Sequence, residues 1–132
     1  MIRVKKVFLL LLLTFSFNAL ADEPMLHETA FSIVQESMGK GKPNFVEVGS
    51  ESCHSCKIMG KLLYKVAQKY PSYNINFVNV KKERQAAYDL KIQMIPTQLI
   101  FDKDGKEVYR HVGALATNDL LELFKTYKFD EQ

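Results

Sequence analysis

Both cysteines of the chain fall in one motif, Cys53-His54-Ser55-Cys56. Two sulfurs with two residues between them can close a small disulfide, share a soft metal ion with an imidazole, or cycle between dithiol and disulfide. A purely structural staple is the weakest of these uses, because so short a loop removes little entropy from the unfolded chain. The motif directly follows an apolar run and directly precedes a helix-like segment, which sets Cys53 at a helix N-terminus. There the helix dipole and the free N–H groups favour a thiolate, and the thiolate is the nucleophile of disulfide exchange.

The elements that must hold this motif can be read from periodicity. Ala30, Phe31, Val34 and Met38 recur at helical spacing and predict a helix over 28–38, ended by Gly39, Gly41 and Pro43. Residues 45–49, Phe-Val-Glu-Val-Gly, read as a short buried strand in which Glu47 stands among apolar neighbours. After a polar turn at 50–52, a second helix runs from the cysteine motif through Ile58, Met59, Leu62, Leu63, Val66, Ala67 and Tyr70, and Pro71 stops it. Residues 75–80 alternate as a second strand, 83–90 suit a short helix, and 98–101 form a third strand. The turn Asp102-Lys103-Asp104-Gly105 leads into a fourth strand over 107–112. A last helix spans 117–127, with Thr117 or Asn118 as its N-cap and Leu120, Leu121, Leu123 and Phe124 turned to the core. Strands alternating with helices imply parallel pairing through crossovers, and the closing hairpin adds an antiparallel edge. The expected fold class is α/β, a mixed central sheet of about four strands flanked by helices.

With 132 residues, 47% of them hydrophobic, the chain has the size of one domain with a proper core. Its first 21 residues are set apart from that domain. Arg3, Lys5 and Lys6 form a basic front, 7–17 is almost unbroken apolar sequence, and Ala19-Leu20-Ala21 has the form of a cleavage site. This predicts a signal peptide over 1–21, cleaved after Ala21, and a mature domain over 22–132. The alternative is an uncleaved membrane anchor, which ranks second because the apolar stretch is shorter than the ~20 residues that span a bilayer; after cleavage no stable membrane insertion is expected. Those three basic residues also account for the whole formal charge of +3, leaving 15 basic and 15 acidic residues in the remainder. Nothing in that balance points to nucleic acid. Lys81-Lys82-Glu83-Arg84, the densest basic run, reads as a solvated turn and helix start. Export implies a periplasmic or otherwise oxidising setting.

Several motifs in order make the chain resemble the thioredoxin family from about residue 42 to 127. Cys53-x-x-Cys56-Lys57 is similar to the family's active-site motif, Ile95-Pro96-Thr97 to its cis-proline segment, 101–106 to its hairpin, and Val112-Gly113-Ala114-Leu115 to the stretch before its final helix. The resemblance implies a thioredoxin fold with Cys53 as exposed attacking sulfur and Cys56 as buried resolving one. It implies that Pro96 is cis, with the backbone of Ile95 and Thr97 offered to an incoming peptide. Glu47, six residues before Cys53, falls where the family places a buried acid, which would have a raised pKa and exchange a proton with Cys56. His54 departs from the usual dipeptide; when protonated it would stabilise the neighbouring thiolate and make the pair more oxidising. Ser52 replaces a frequent tryptophan, and Phe77 a frequent buried lysine. The implied activity is an exported thiol-disulfide oxidoreductase of the protein-disulfide reductase type. It would act on protein thiols and disulfides as a monomer without a cofactor, fed by a membrane thiol donor, with cytochrome c maturation or periplasmic redox homeostasis as settings. The alternatives are a disulfide oxidase or isomerase, or a Cys/His copper-binding module. His27 and His111 read as surface residues, and Met38, Met59 and Met94 as core filler rather than metal ligands.

Overall fold

Every residue of β1 (Asn44–Gly49) is buried, which is possible only for a strand covered on both faces and paired on both edges. In the computed structural model, which describes residues 22–131, β1 pairs in parallel with β2 (Asn74–Asn79) and antiparallel with β3 (Thr97–Phe101). β4 (Glu107–Val112) pairs antiparallel with β3, so the strand order is β2-β1-β3-β4. The predicted signal peptide over 1–21 lies outside the described residues.

Alternation along β1 divides its side chains between two cores. Val46 and Val48, with Val78, Leu99 and Phe101, meet Phe31 and Val34 of α1 (Phe31–Ser37) and Ala86 of α3 (Arg84–Asp89), with Leu90 just beyond it. Phe45 and Ile100 meet Met59, Leu63 and Val66 of α2 (His54–Lys69), Leu120 and Phe124 of α4 (Thr117–Thr126), and Phe129. On this second face the Phe45 and Phe124 rings lie 5.2 Å apart, and Phe124 meets Phe129 edge-on at 4.9 Å. Burying each such ring is worth roughly 2–3 kcal/mol of transfer free energy.

The eight elements appear in the predicted order, with corrections at particular ends. α1 begins at Phe31 rather than residue 28, because the preceding segment is drawn to the free edge of β2. Glu28 forms an isolated parallel bridge with Phe77, and Thr29 N donates to Phe77 O at 2.8 Å. The first N–H of α1 is then capped from far along the chain, Phe31 N donating to both Glu83 carboxylate oxygens at 3.1 Å. α4 has Ala116 as its N-cap residue, without a side-chain cap, so Thr117 and Asn118 already lie inside the helix. Asp119 in the first turn instead complements the helix dipole. Leu120 and Phe124 are fully buried while Leu121 and Leu123 flank them at half depth. Ile58, 50% exposed, falls on the solvent side of α2, and Met94, 66% exposed, is no core filler. His27 is exposed and His111 partly so.

Candidate active site

β1 ends at Gly49, and the turn that follows sets the start of α2. Ser50 is buried, its carbonyl accepts from Cys53 N at 3.2 Å, and its hydroxyl accepts from Ser52 N at 3.2 Å. Cys53 is therefore delivered in extended backbone to the N-cap of α2, where its sulfur accepts from Cys56 N at 3.3 Å and its carbonyl from Lys57 N at 3.0 Å. Cys53 and Cys56 are joined as a disulfide, with their Cα atoms 5.1 Å apart. Cys53 is partly exposed; Cys56, one helical turn on, is fully buried. His54, the first residue of α2, is exposed.

The buried sulfur rests on a glycine, where any side chain would force its neighbours to shift. A Cβ at Gly49 would stand 2.9 Å from Cys56 Sγ, 3.0 Å from its Cβ and 3.3 Å from the Phe77 ring. Two residues back on the same face, roughly 7 Å along the strand, comes Glu47. Its carboxyl is fully buried, opposite Phe77 on one side and Gln98 on the other. Burial pushes it up to about 8, against a smaller downward pull from Gln98, whose Nε2 donates to Glu47 Oε1 at 3.4 Å. The second carboxyl oxygen has no hydrogen-bond partner.

Because β3 runs antiparallel to β1, its first residues share the sheet edge at which β1 ends. Here the Ile95–Pro96 peptide bond is cis, Pro96 and Thr97 are buried and Ile95 is partly so. Thr97 Oγ1 donates to Met94 O at 2.6 Å, and Pro96 O accepts from Gly113 N at 2.8 Å, which ties this segment to the end of β4. Met94 and Val112, 66% and 50% exposed, belong to the same segment pair. The structure thus brings Cys53, Cys56, His54, Ile95, Pro96 and Thr97 to one end of the sheet, with Glu47 beneath it.

Three further residues shape the site without having been singled out from their types: Gly49, Gln98 and Asn79. Asn79, buried at the end of β2, donates to Glu28 Oε1 at 2.9 Å and to Glu51, and its Oδ1 accepts from Lys81 N at 3.0 Å. It ties the N-terminal segment, the cysteine turn and the β2–α3 turn together. Lys81 Nζ reaches Ser52 Oγ at 2.5 Å. For Gln98 the available signal was a long polar side chain beside the apolar run Leu99-Ile100-Phe101. Among the described residues no group of three His, Cys, Asp or Glu side chains is gathered to hold a metal ion, and no helix is long and apolar enough to cross a membrane.

A surface sulfur at a helix cap, a sealed sulfur one turn behind it and a cis-proline segment at the same sheet edge define a thiol-disulfide exchange site. The family comparison agrees: a family model described as a thioredoxin-like domain matches residues 31–128. The chain belongs to the thioredoxin family and is a thioredoxin-like oxidoreductase acting on protein thiols and disulfides. It is 30% identical over 101 residues to the thioredoxin of Mycoplasmoides gallisepticum, covering 76% of this chain and all of that one. Against the thioredoxin of Chlamydia trachomatis it is 30% identical over 63% of this chain and 80% of the relative. Among solved structures, Fasciola hepatica thioredoxin superposes with a TM-score of 0.68 at 24% identity, over 79% of this chain and all of that one. A thioredoxin from Nicotiana alata gives 0.69 at 22% identity, over 81% and 97%. The four-stranded mixed sheet flanked by helices is the thioredoxin fold.

Proposed function

We propose that this chain is an exported reductant of protein disulfides that works through the Cys53/Cys56 dithiol. The observation that carries this reading is the asymmetry of the pair, one sulfur partly exposed at the cap of α2 and the other buried behind it. The Cys53 thiolate attacks a partner disulfide; an S–S bond forms as the partner's own breaks, and the partner's second sulfur leaves as a thiolate that takes up a proton. Cys56 loses its proton and attacks Cys53, and the mixed disulfide breaks. The partner departs as a dithiol, having received two electrons from the cysteine pair. Glu47 serves as the base for the Cys56 proton, since a carboxyl near 8 is matched to a thiol's ordinary value of about 8.5.

Ile95, Pro96 and Thr97 offer their backbone to an extended partner segment, and exposed Met94, Ile58 and Val112 give that segment apolar surface. Export rests on the basic front, apolar run and Ala19-Leu20-Ala21 of residues 1–21. An exported reductant needs an electron source, for which a membrane thiol donor is proposed. Its proposed targets are cytochrome c maturation factors or misoxidised proteins, and the domain acts as a monomer.

A second reading, oxidant or isomerase, is favoured by the exposed place of His54 beside Cys53, where an imidazolium would stabilise the thiolate and raise the potential. The reduction potential separates the two: a value near about −270 mV supports the reductant, and one near about −120 mV supports the oxidant. With dithiothreitol as electron source, the wild-type domain reduces insulin disulfides and Cys53→Ser falls to the uncatalysed background. Full activity in Cys53→Ser would overturn the mechanism.

A further inference from the structure

We infer that Gln98 is a positioning residue for the buried proton of the site: its carboxamide pairs face to face with the neutral Glu47 carboxyl, Gln98 Nε2–H donating to Glu47 Oε1 and Glu47 Oε2–H donating to Gln98 Oε1. This rests on the proposed role of Glu47 as the proton acceptor for Cys56 and adds the group that holds the proton in place.

Glu47 and Gln98 lie directly opposite one another in the β1–β3 ladder, and both are fully buried. One half of the pair is present as the 3.4 Å contact from Gln98 Nε2 to Glu47 Oε1. Among the described residues, the buried side-chain nitrogen and oxygen atoms without a hydrogen-bond partner are two, Glu47 Oε2 and Gln98 Oε1. Both are acceptors when the carboxyl is ionised. Leaving a buried polar atom unpaired costs about 1–3 kcal/mol, and a single proton on Glu47 Oε2 lets the two orphans satisfy each other.

The surroundings leave Gln98 as the one polar side chain placed to do this. Phe77 of β2 faces Glu47 from the other edge, and Phe45 and Gly49 flank it along β1. Cys56 of α2 closes on Gly49, and Met59 and Leu63 of α2 with Leu120 and Phe124 of α4 form the apolar cover of this face. Of these only Cys56, when reduced, can titrate. No charged side chain contributes to the raised carboxyl value, whose causes are burial and, opposing it, the Gln98 N–H. When Glu47 has given up its proton, the Nε2–H bond remains and becomes charge-assisted, so the amide serves both protonation states while the Oε2–H bond exists only in one. The proton that leaves Cys56 is received on Oε2, already aimed at an acceptor.

A titration of the oxidised protein, with the Glu47 carboxyl carbon and the Gln98 side-chain amide followed by NMR, tests the pairing independently of catalysis. In the wild type both signals should move with one shared midpoint; a Gln98 amide insensitive to the Glu47 titration would overturn the pair. Gln98→Leu keeps the volume but removes both bonds. The Nε2–H bond alone stabilises the ionised carboxyl, so its loss by itself would raise the Glu47 midpoint; with the Oε2–H bond of the neutral acid lost as well, and an unpaired acceptor removed from beside the carboxylate, the midpoint should stay unchanged or fall. A rise of roughly a full unit, a tenfold gain in proton affinity, sinks the inference. The pH profile of insulin reduction should follow that midpoint. If instead Glu47→Gln leaves that profile unaltered while the NMR pairing holds, the proton-acceptor reading of Glu47 fails and the acid–amide pair stands.

Discussion

The two faces of the central sheet are cut from alternate residues of the same strands but are made of different material. Towards α1 and α3 the sheet presents Val46, Val48, Val78, Leu99 and Phe101, closed off from water, with buried Asn44, bonded to Ser37 of α1, and buried Thr97 at the strand ends. Towards α2 and α4 it presents Phe45 and Ile100 at one end, then Glu47 with Gln98, then Gly49 under Cys56. The first face is a dry scaffold whose buried polar side chains, Asn44 and Thr97, are neutral and stand at strand ends. Along the second, packing gives way stepwise to a buried acid, a missing side chain and a sulfur. Period-two alternation lets one strand contribute to both without compromise, because a polar residue on one face leaves its neighbours on the other untouched.

The two faces differ most in how they respond to pH. Glu47 holds its proton up to about 8 in the folded protein, against an ordinary value of 4.5. Between those limits the unfolded chain has lost the proton that the folded chain keeps, so stability falls as pH rises from about 5 to 8, by at most ~1.4 kcal/mol per pH unit. Denaturant titrations of Glu47→Gln should lose this slope; Val46→Ala, one residue away on the dry face, should keep it while lowering stability at every pH. A retained slope in Glu47→Gln would show that another group carries it.

A smaller effect separates a void from a clash. Val48→Ala opens space in the dry core and should cost about 2 kcal/mol, with the insulin-reducing rate of the folded protein unchanged. Gly49→Ala, the next residue, drives a methyl into Cys56 and the Phe77 ring and should cost about 1–3 kcal/mol by overpacking. It should also change the reduction potential of the pair, which Val48→Ala should not. Equal potentials in the two variants would deny the second face its special character. At the lower limit, Lys65→Ala removes an exposed 3.0 Å ion pair with Glu23 on the outer side of α2 and should change stability by less than about 0.5 kcal/mol.

How much of this was legible depended on whether a feature was local. The cysteine motif, the eight elements and the burial of Glu47 follow from spacing and from the company each residue keeps. The start of α1 does not, since Glu28 and Thr29 are claimed by the edge of β2 through contacts some fifty residues away in sequence. Ile58 and Met94 look like core by type, but their exposure is decided by helical phase and by where the segment before Pro96 emerges. Gln98 was visible as a polar residue in an apolar strand. Its meaning needed the β1–β3 register, which places it opposite Glu47 and which no local pattern encodes.

Gly49 has a mechanical consequence for the cysteine pair. With Cys56 already against the strand backbone and held in the body of α2, it cannot recede towards Gly49. Room for the sulfurs to separate lies on the other side, at the cap residue, which is partly exposed to water. The site therefore works like a latch with a fixed strike and one moving tongue: Gly49 sets the depth of the strike, and the swing of Cys53 is where a partner protein feels the change of state.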